Sequence, residues 1–415
     1  MTTATIPTPV VSQARARAGS SSMLVYAGTL LVMVASGAAP SPLYPVYQAE
    51  WGFSPLFLTV VFAVYVLGLL VTLLTAGAIS DFIGRRPVVL VALAVSITSM
   101  LVFAFASAPM MLIVARVVQG LAIGLATGAL GAAMIDHQPA RRPIAPFLNG
   151  VVPPIALSVG ALGSGLLVQF VAGPEQTVFF VLAGLMVVAG VGVALTRERI
   201  DPRPGALRSL TPVIRIPQAS KALFAGVIGC MIASWALGGM YLAFSGSVLS
   251  AAFGIHSPLA AGAMIFLFAG TGAATGIVIQ KRDARRSMLV GVVALIVGPI
   301  GTVAALWTDS LPLLIVSSVV AGVGFGAGFQ AGLRLLLATA PADERAGLLS
   351  SVYVASYLAF GVPTVVAGVF VPTAGLTLVL TVYAAFVVAS AVTALILQRV
   401  LASPRRAELR ADRLA

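Results

Sequence analysis

The chain has 415 residues, of which 60% are hydrophobic and only 9% charged, and its mean hydropathy is +1.08. Apolar residues in runs of that density exclude a water-soluble core, so the net charge of +12 belongs to membrane orientation rather than to a nucleic-acid surface. The single cysteine, Cys230, falls inside an apolar run, so neither an intrachain disulfide nor a thiolate metal site is available, and the sequence implies no metal or cofactor.

Residues 1–21 are polar and rich in Thr, Ser and Ala, and read as a disordered tail. The apolar stretch 22–46 follows Arg15 and Arg17 as a signal peptide would. It is too long for one and eleven more follow, so it reads as an uncleaved first helix. Stretches at 55–78, 87–107, 109–135, 143–170 and 175–196 complete a set of six. Residues 197–220 are the one long connection, where Pro202, Pro204, Pro212 and Pro217 alternate with arginines, and they mark a boundary between halves. A second set lies at 221–249, 258–280, 287–307, 310–338, 343–371 and 375–401, followed by a tail at 402–415. Most are near the ~20 residues a helix needs to cross ~30 Å of hydrocarbon.

The charges orient these spans. Apart from Arg116 and Arg334, every Lys and Arg lies in a tail or an even-numbered gap: Arg85 and Arg86, Arg141 and Arg142, Arg197 to Lys221, Lys281 to Arg286, Arg345, and Arg399 to Arg413. The odd gaps, near Tyr47, Ser107, Gly173, His256, Trp307 and Thr373, contain none. Positive charge stays on the cytoplasmic side, which predicts twelve spans with both termini in the cytoplasm. Arginine far exceeds lysine and Ala, Val and Gly abound, the composition of a high-GC bacterial genome, so the expected membrane is a bacterial cytoplasmic (inner) membrane.

The halves repeat at an offset of about 200 residues. Ser54-Pro55 opens the second span and Ser257-Pro258 the eighth, in both cases a natural N-cap before a natural first helical residue. Arg85-Arg86 matches Arg285-Arg286, and the ladder Gly120, Gly124, Gly128 is set against Gly324 and Gly328. The predicted fold class is therefore an all-α membrane protein of two pseudo-symmetric six-helix bundles.

The segment Gly77-Ala78-Ile79-Ser80-Asp81-Phe82-Ile83-Gly84-Arg85-Arg86 resembles the signature loop of the major facilitator superfamily, G-x-x-x-D-[RK]-x-G-[RK]-[RK], with Phe82 in place of a basic residue. Arg116-Val117-Val118-Gln119-Gly120 is similar to the R-x-x-Q-G segment of the fourth helix in proton-coupled drug and metabolite exporters of that superfamily. The exporters' fifth-helix Gly-Pro is absent, Ser164 standing where proline is expected. The resemblance implies a transporter, with Gly77, Asp81, Gly84, Arg85 and Arg86 as a gating latch against the start of the eleventh helix, here Pro341 to Arg345. Asp136, at the end of the fourth span, is a second partner for Arg85 or Arg86.

Arg116, Gln119 and Gly120 share one helix face within the membrane. The resemblance implies a role for Arg116 in transport or coupling; the alternative is that it bonds carbonyls freed in the first helix by Pro40, Pro42 and Pro45. No Asp or Glu falls mid-membrane, so a cavity with Arg116 should prefer neutral or anionic solutes, and coupled protons would use Asp81, Asp136, Glu50 or Asp309. Trp235, Tyr241, Asn149 and Gln330 are candidates for the substrate cavity, or else packing and interhelical groups. Arg334 sits where a long side chain can snorkel. With no phosphate-binding loop and no nucleophile cluster, the reading is a monomeric secondary transporter of a small organic solute, an exporter exchanging it for protons or else an importer or facilitator of a metabolite such as an organic acid or sugar. A membrane enzyme and a transporter-like sensor are remote alternatives. The lipid bilayer is its partner and nucleic acid is not.

Overall fold

The computed structural model describes residues 11–139, 144–171, 173–212, 214–341 and 344–411. Arg141, Arg142 and Asp343 lie outside them. Twelve helical segments among the described residues are long and apolar enough to cross a membrane. The first half comprises α1 (Val11–Ala38), α2 (Tyr44–Trp51), α3 (Pro55–Ala76), α4 (Ser80–Ile83), α5 (Arg85–Ala104), α6 (Pro109–His137), α7 (Ala145–Phe170) and α8 (Pro174–Ala194). The second comprises α9 (Lys221–Phe253), α10 (Pro258–Ile279), α11 (Ala284–Trp307), α12 (Leu311–Thr339), α13 (Arg345–Ala374) and α14 (Leu376–Ala411). The first helix begins at Val11, well before residue 22, because Ala, Gln and Arg there are strong helix formers.

The local signals act as expected. Ser54 accepts a hydrogen bond from the Phe57 amide and Ser257 one from the Ala260 amide, each at 3.2 Å, so α3 and α10 begin with the same cap. The first span breaks after Ala38 into a short 3-10 turn, Ser41–Leu43, before α2 resumes, because prolines at 40, 42 and 45 cannot donate to the helix ladder.

Glycines set how closely the helices approach. A Cβ on Gly120 would strike the Tyr65 carbonyl oxygen, and one on Gly124 that of Leu69, so α6 lies backbone to backbone on α3. In the second half Gly322 meets the Phe268 carbonyl and Gly326 that of Gly272 in the same way. The repeat register is therefore Gly120 and Gly124 with Gly322 and Gly326. Gly324 instead faces Leu295 of α11, and Gly328 faces Ser234 and Leu295.

The halves meet where α7 packs on α10 and α3 on α13. Their closest approaches gather at the ends bearing the gaps without Lys or Arg. There Pro45 abuts Gly246, Gly165 abuts the Pro258 carbonyl, Thr59 abuts Gly368, and Ser257 donates to Gln169 at 3.1 Å. On the basic side one direct bond is seen among the described residues, from Gln330 Nε2 to the Gly150 carbonyl at 3.2 Å.

Candidate functional site

The signature loop folds as one turn, α4, between α3 and α5. Gly84 has φ 103°, which a side chain resists. The guanidinium of Arg85 gathers three groups: the Asp81 carboxylate, the Ser80 hydroxyl at 2.7 Å and, through Nε, the Asp136 carboxylate at 3.1 Å. Asp136 therefore pairs with Arg85, one of the two partners expected. Asp81 is engaged within its own half. At the start of the eleventh span, Glu344 faces Arg215 of the central connection at 3.8 Å. A direct latch from Asp81 to Asp343 lies outside the described residues.

Glu198, which sequence reasoning did not single out, completes the loop. Its carboxylate accepts from the Arg86 amide at 2.7 Å, the Arg199 amide at 2.9 Å and the Ile200 amide at 3.0 Å. It thus caps the first turn of α5 from 112 residues away in sequence. A Cβ on Gly84 would lie 2.8 Å from Glu198 Oε2, a second reason for glycine there. Partial burial raises the carboxyl pKa, but the amide donors of Arg86, Ile200, Arg199 and Arg85 outweigh it and hold Glu198 below the usual carboxylate range. In the second half the local Asp283 caps α11 through the Arg286 amide at 2.9 Å. Gly128 allows the end of α3 to approach α6, the Gly77 carbonyl lying 2.9 Å from where a Cβ of Gly128 would stand, whereas a Cβ on Gly77 itself would meet the Leu73 carbonyl of its own helix.

Arg116 is fully buried. Its Nη1 donates to the Gly37 carbonyl at 2.9 Å and to Gln119 Oε1 at 2.7 Å, while Nε donates to the Tyr44 hydroxyl at 2.6 Å. Gln119 passes the network on to the Ser36 carbonyl at 2.9 Å, and Ser164 donates to the Ala39 carbonyl at 2.6 Å. Three carbonyls around the break in the first span are thus satisfied by side chains of α6 and α7. The guanidinium also lies over the rings of Tyr65, Tyr44 and Phe103, at 5.1, 5.4 and 5.8 Å from their centroids. Nη2 has no hydrogen-bond partner. Arg116 therefore fills the carbonyl-binding role and keeps one donor nitrogen, Nη2, free. Among the described residues no Asp or Glu is buried.

The cavity candidates separate. Trp235 is half-buried, with Tyr357, Phe329 and Phe360 edge-on around it at 4.7, 5.4 and 5.8 Å, and its indole Nε1 has no acceptor. Tyr241 stacks on Phe268 at 4.2 Å, and its hydroxyl contacts Ser318 at 3.0 Å and Thr302 at 3.2 Å. That hydroxyl joins three helices of the second half. Asn149 donates to the Gly131 carbonyl at 3.2 Å within the first half, whereas Gln330 bridges the two halves. Arg334 donates to the Ile279 and Arg282 carbonyls at 2.9 and 3.1 Å and so closes the end of α10. His256 lines a cavity of about 590 Å³ on the face without Lys or Arg, with Glu50, Pro45 and Gly246.

A family model described as Major Facilitator Superfamily matches residues 25–362. Multidrug resistance protein MdtL of Klebsiella pneumoniae is 28% identical over 163 residues, 39% of this chain and 41% of that protein. MdtL of Vibrio parahaemolyticus is 26% identical over 153 residues, 36% and 37% of the respective chains. The chain spans roughly two fifths of the length of these curated relatives. Among solved structures, the human organic anion transporter MFSD10 (TETRAN) matches with a TM-score of 0.64 at 17% identity, over 91% of this chain and 99% of that one. The POT family transporter PepTSo matches with a TM-score of 0.73 at 12% identity, over 92% and 98%. At these identities the likeness is one of fold.

Proposed function

Because the chain belongs to the Major Facilitator Superfamily, we propose that it is a secondary transporter of a small organic solute, working by rocking of its two six-helix halves about a central site. It is a carrier and not an enzyme. It acts as a monomer in a bacterial inner membrane with both termini in the cytoplasm, and it exports its solute in exchange for protons. Export is supported by the multidrug-resistance relatives and by the Arg116 to Gly120 segment.

One observation carries the charge class of the solute: Arg116 is fully buried with a free donor, and no buried carboxylate is described to oppose it. In a low-dielectric interior that cation repels other cations, so the solute is neutral or anionic. The rings around Trp235 suit an apolar body, and the free indole Nε1 suits an acceptor on it. Asp81, Asp136, Glu50 and Asp309 are the candidate carboxylates to carry protons. The lack of a buried acid among the described residues also favours a second reading, an importer or facilitator of a metabolite such as an organic acid or sugar.

Collapse of a pH gradient in inside-out vesicles, on addition of neutral, anionic and cationic amphiphiles, tests the first reading. Neutral or anionic compounds should dissipate the gradient with wild type and fail to do so with Asp81→Asn. Silence across the panel with correctly inserted protein would replace antiport by the facilitator. A response confined to cations would overturn the charge class.

A further inference from the structure

The central connection is anchored at both ends, one on each half. At its start Glu198 holds the amides at the head of α5. Further on, the Arg203 amide donates to the Phe82 carbonyl at 2.9 Å, and the Arg203 guanidinium lies over the Phe82 ring, 5.0 Å from its centroid. Gly205, at φ 112°, rests on the same ring, where a Cβ would come within 3.4 Å of it. The 3-10 turn Ala206–Leu210 then lies against α3. At the far end the Arg215 amide donates to the Gly347 carbonyl at 3.3 Å, and its guanidinium faces Glu344. A Cβ on Gly347 would lie 3.1 Å from Arg215 Cβ, so α13 and the connection touch without slack.

We propose that this connection is the restraint between the halves on the basic face, with Phe82 and Arg203 as its clasp. Phe82 departs from the signature pattern, which carries a basic residue there. Arg203 brings a guanidinium to the same spot from another part of the chain. Among the described residues the other means of restraint are few. Asp81 is held by Arg85 inside its own half, and the direct approaches between halves gather on the opposite face, leaving Gln330 to Gly150 on this one.

Tether length cannot supply the restraint. An extended chain reaches about 3.3–3.6 Å per residue, so the stretch from 203 to 215 could span a wide opening. Docking must supply it, and an exposed guanidinium over a half-buried ring is weak enough to release in every cycle. Arg203 and Phe82 are therefore positioning residues for the opening of the basic face. The inference rests on the rocking-halves reading, but its test reads conformation and needs no transported compound.

Spin labels on cysteines at Ile135 and Leu289, exposed at the basic ends of α6 and α11, report the separation of the halves. Cys230 is buried and stays unlabelled. In Arg203→Ala the ratio of close to separated populations should fall about two- to fivefold. Phe82→Arg, which sets two guanidiniums together, should lower it further. The exchange Phe82→Arg with Arg203→Phe should restore it, and Arg215→Ala at the other anchor should lower it again. An unchanged ratio in Arg203→Ala overturns the proposal. So does an exchanged pair that inserts normally and fails to recover, because the effect would then not belong to the clasp.

Discussion

Arg116 joins the break of the first span to the first third of α6, and its three bonded partners are all buried. Removing it leaves acceptors unpaired at about 1–3 kcal/mol each, so Arg116→Ala should lower thermal stability measurably and reduce flux at least about tenfold. Arg116→Lys keeps the charge but loses the planar fork, and should recover stability more than flux in a melt and a transport assay on the same preparation. Normal transport by the alanine variant would leave Arg116 a purely structural role. Glu198 has its own signature. Its folded pKa lies below the usual value of about 4.3, so its contribution to stability is full above that value and disappears as pH falls through the folded pKa. Melting curves should therefore separate wild type from Glu198→Gln at pH 7 and converge under acid conditions. A gap that persists at low pH would assign the effect to packing. The Arg85–Asp136 pair was legible from charge at two adjacent span ends. Glu198 was not, because its partners are backbone amides, which leave no trace in a side-chain pattern.

At the scale of elements, the break in the first span and the capped starts of α3 and α10 were legible, since proline and Ser-Pro act through their own backbone. The choice of glycines was not. Gly322 and Gly326 carry the α10–α12 contact that Gly120 and Gly124 carry between α3 and α6, although Gly324 and Gly328 look as good in sequence. Nearly every second residue of α12 from Gly322 to Gly328 is glycine, so spacing cannot say which face meets which neighbour. Gly120→Ala and Gly322→Ala should each cost about 1–3 kcal/mol in thermal or denaturant unfolding, as overpacking against a carbonyl does. Gly184→Ala in α8, with nothing within 4 Å, should be neutral or stabilise by about 0.5–1 kcal/mol. Equal effects at Gly120 and Gly184 would contradict the backbone contact.

For the whole molecule, the first prediction concerns orientation. Reporter fusions after Arg203 should report the cytoplasm and fusions at Gly173 or His256 the exterior; any reversal breaks the topology. The sequence by itself determined the number of spans, and it carries the expectation of their direction and of the boundary between halves. Those properties follow from the bilayer acting on each segment separately, through apolar length and the placement of arginine. Only the tertiary structure decided that Arg116 holds open carbonyls, that Tyr241 joins helices of one half while Gln330 crosses the seam, and that Arg203 covers Phe82. Apolar helices offer much the same hydropathy on every face. Their partners are selected by close packing and by where buried polar groups can be satisfied, and both depend on neighbours remote in the chain.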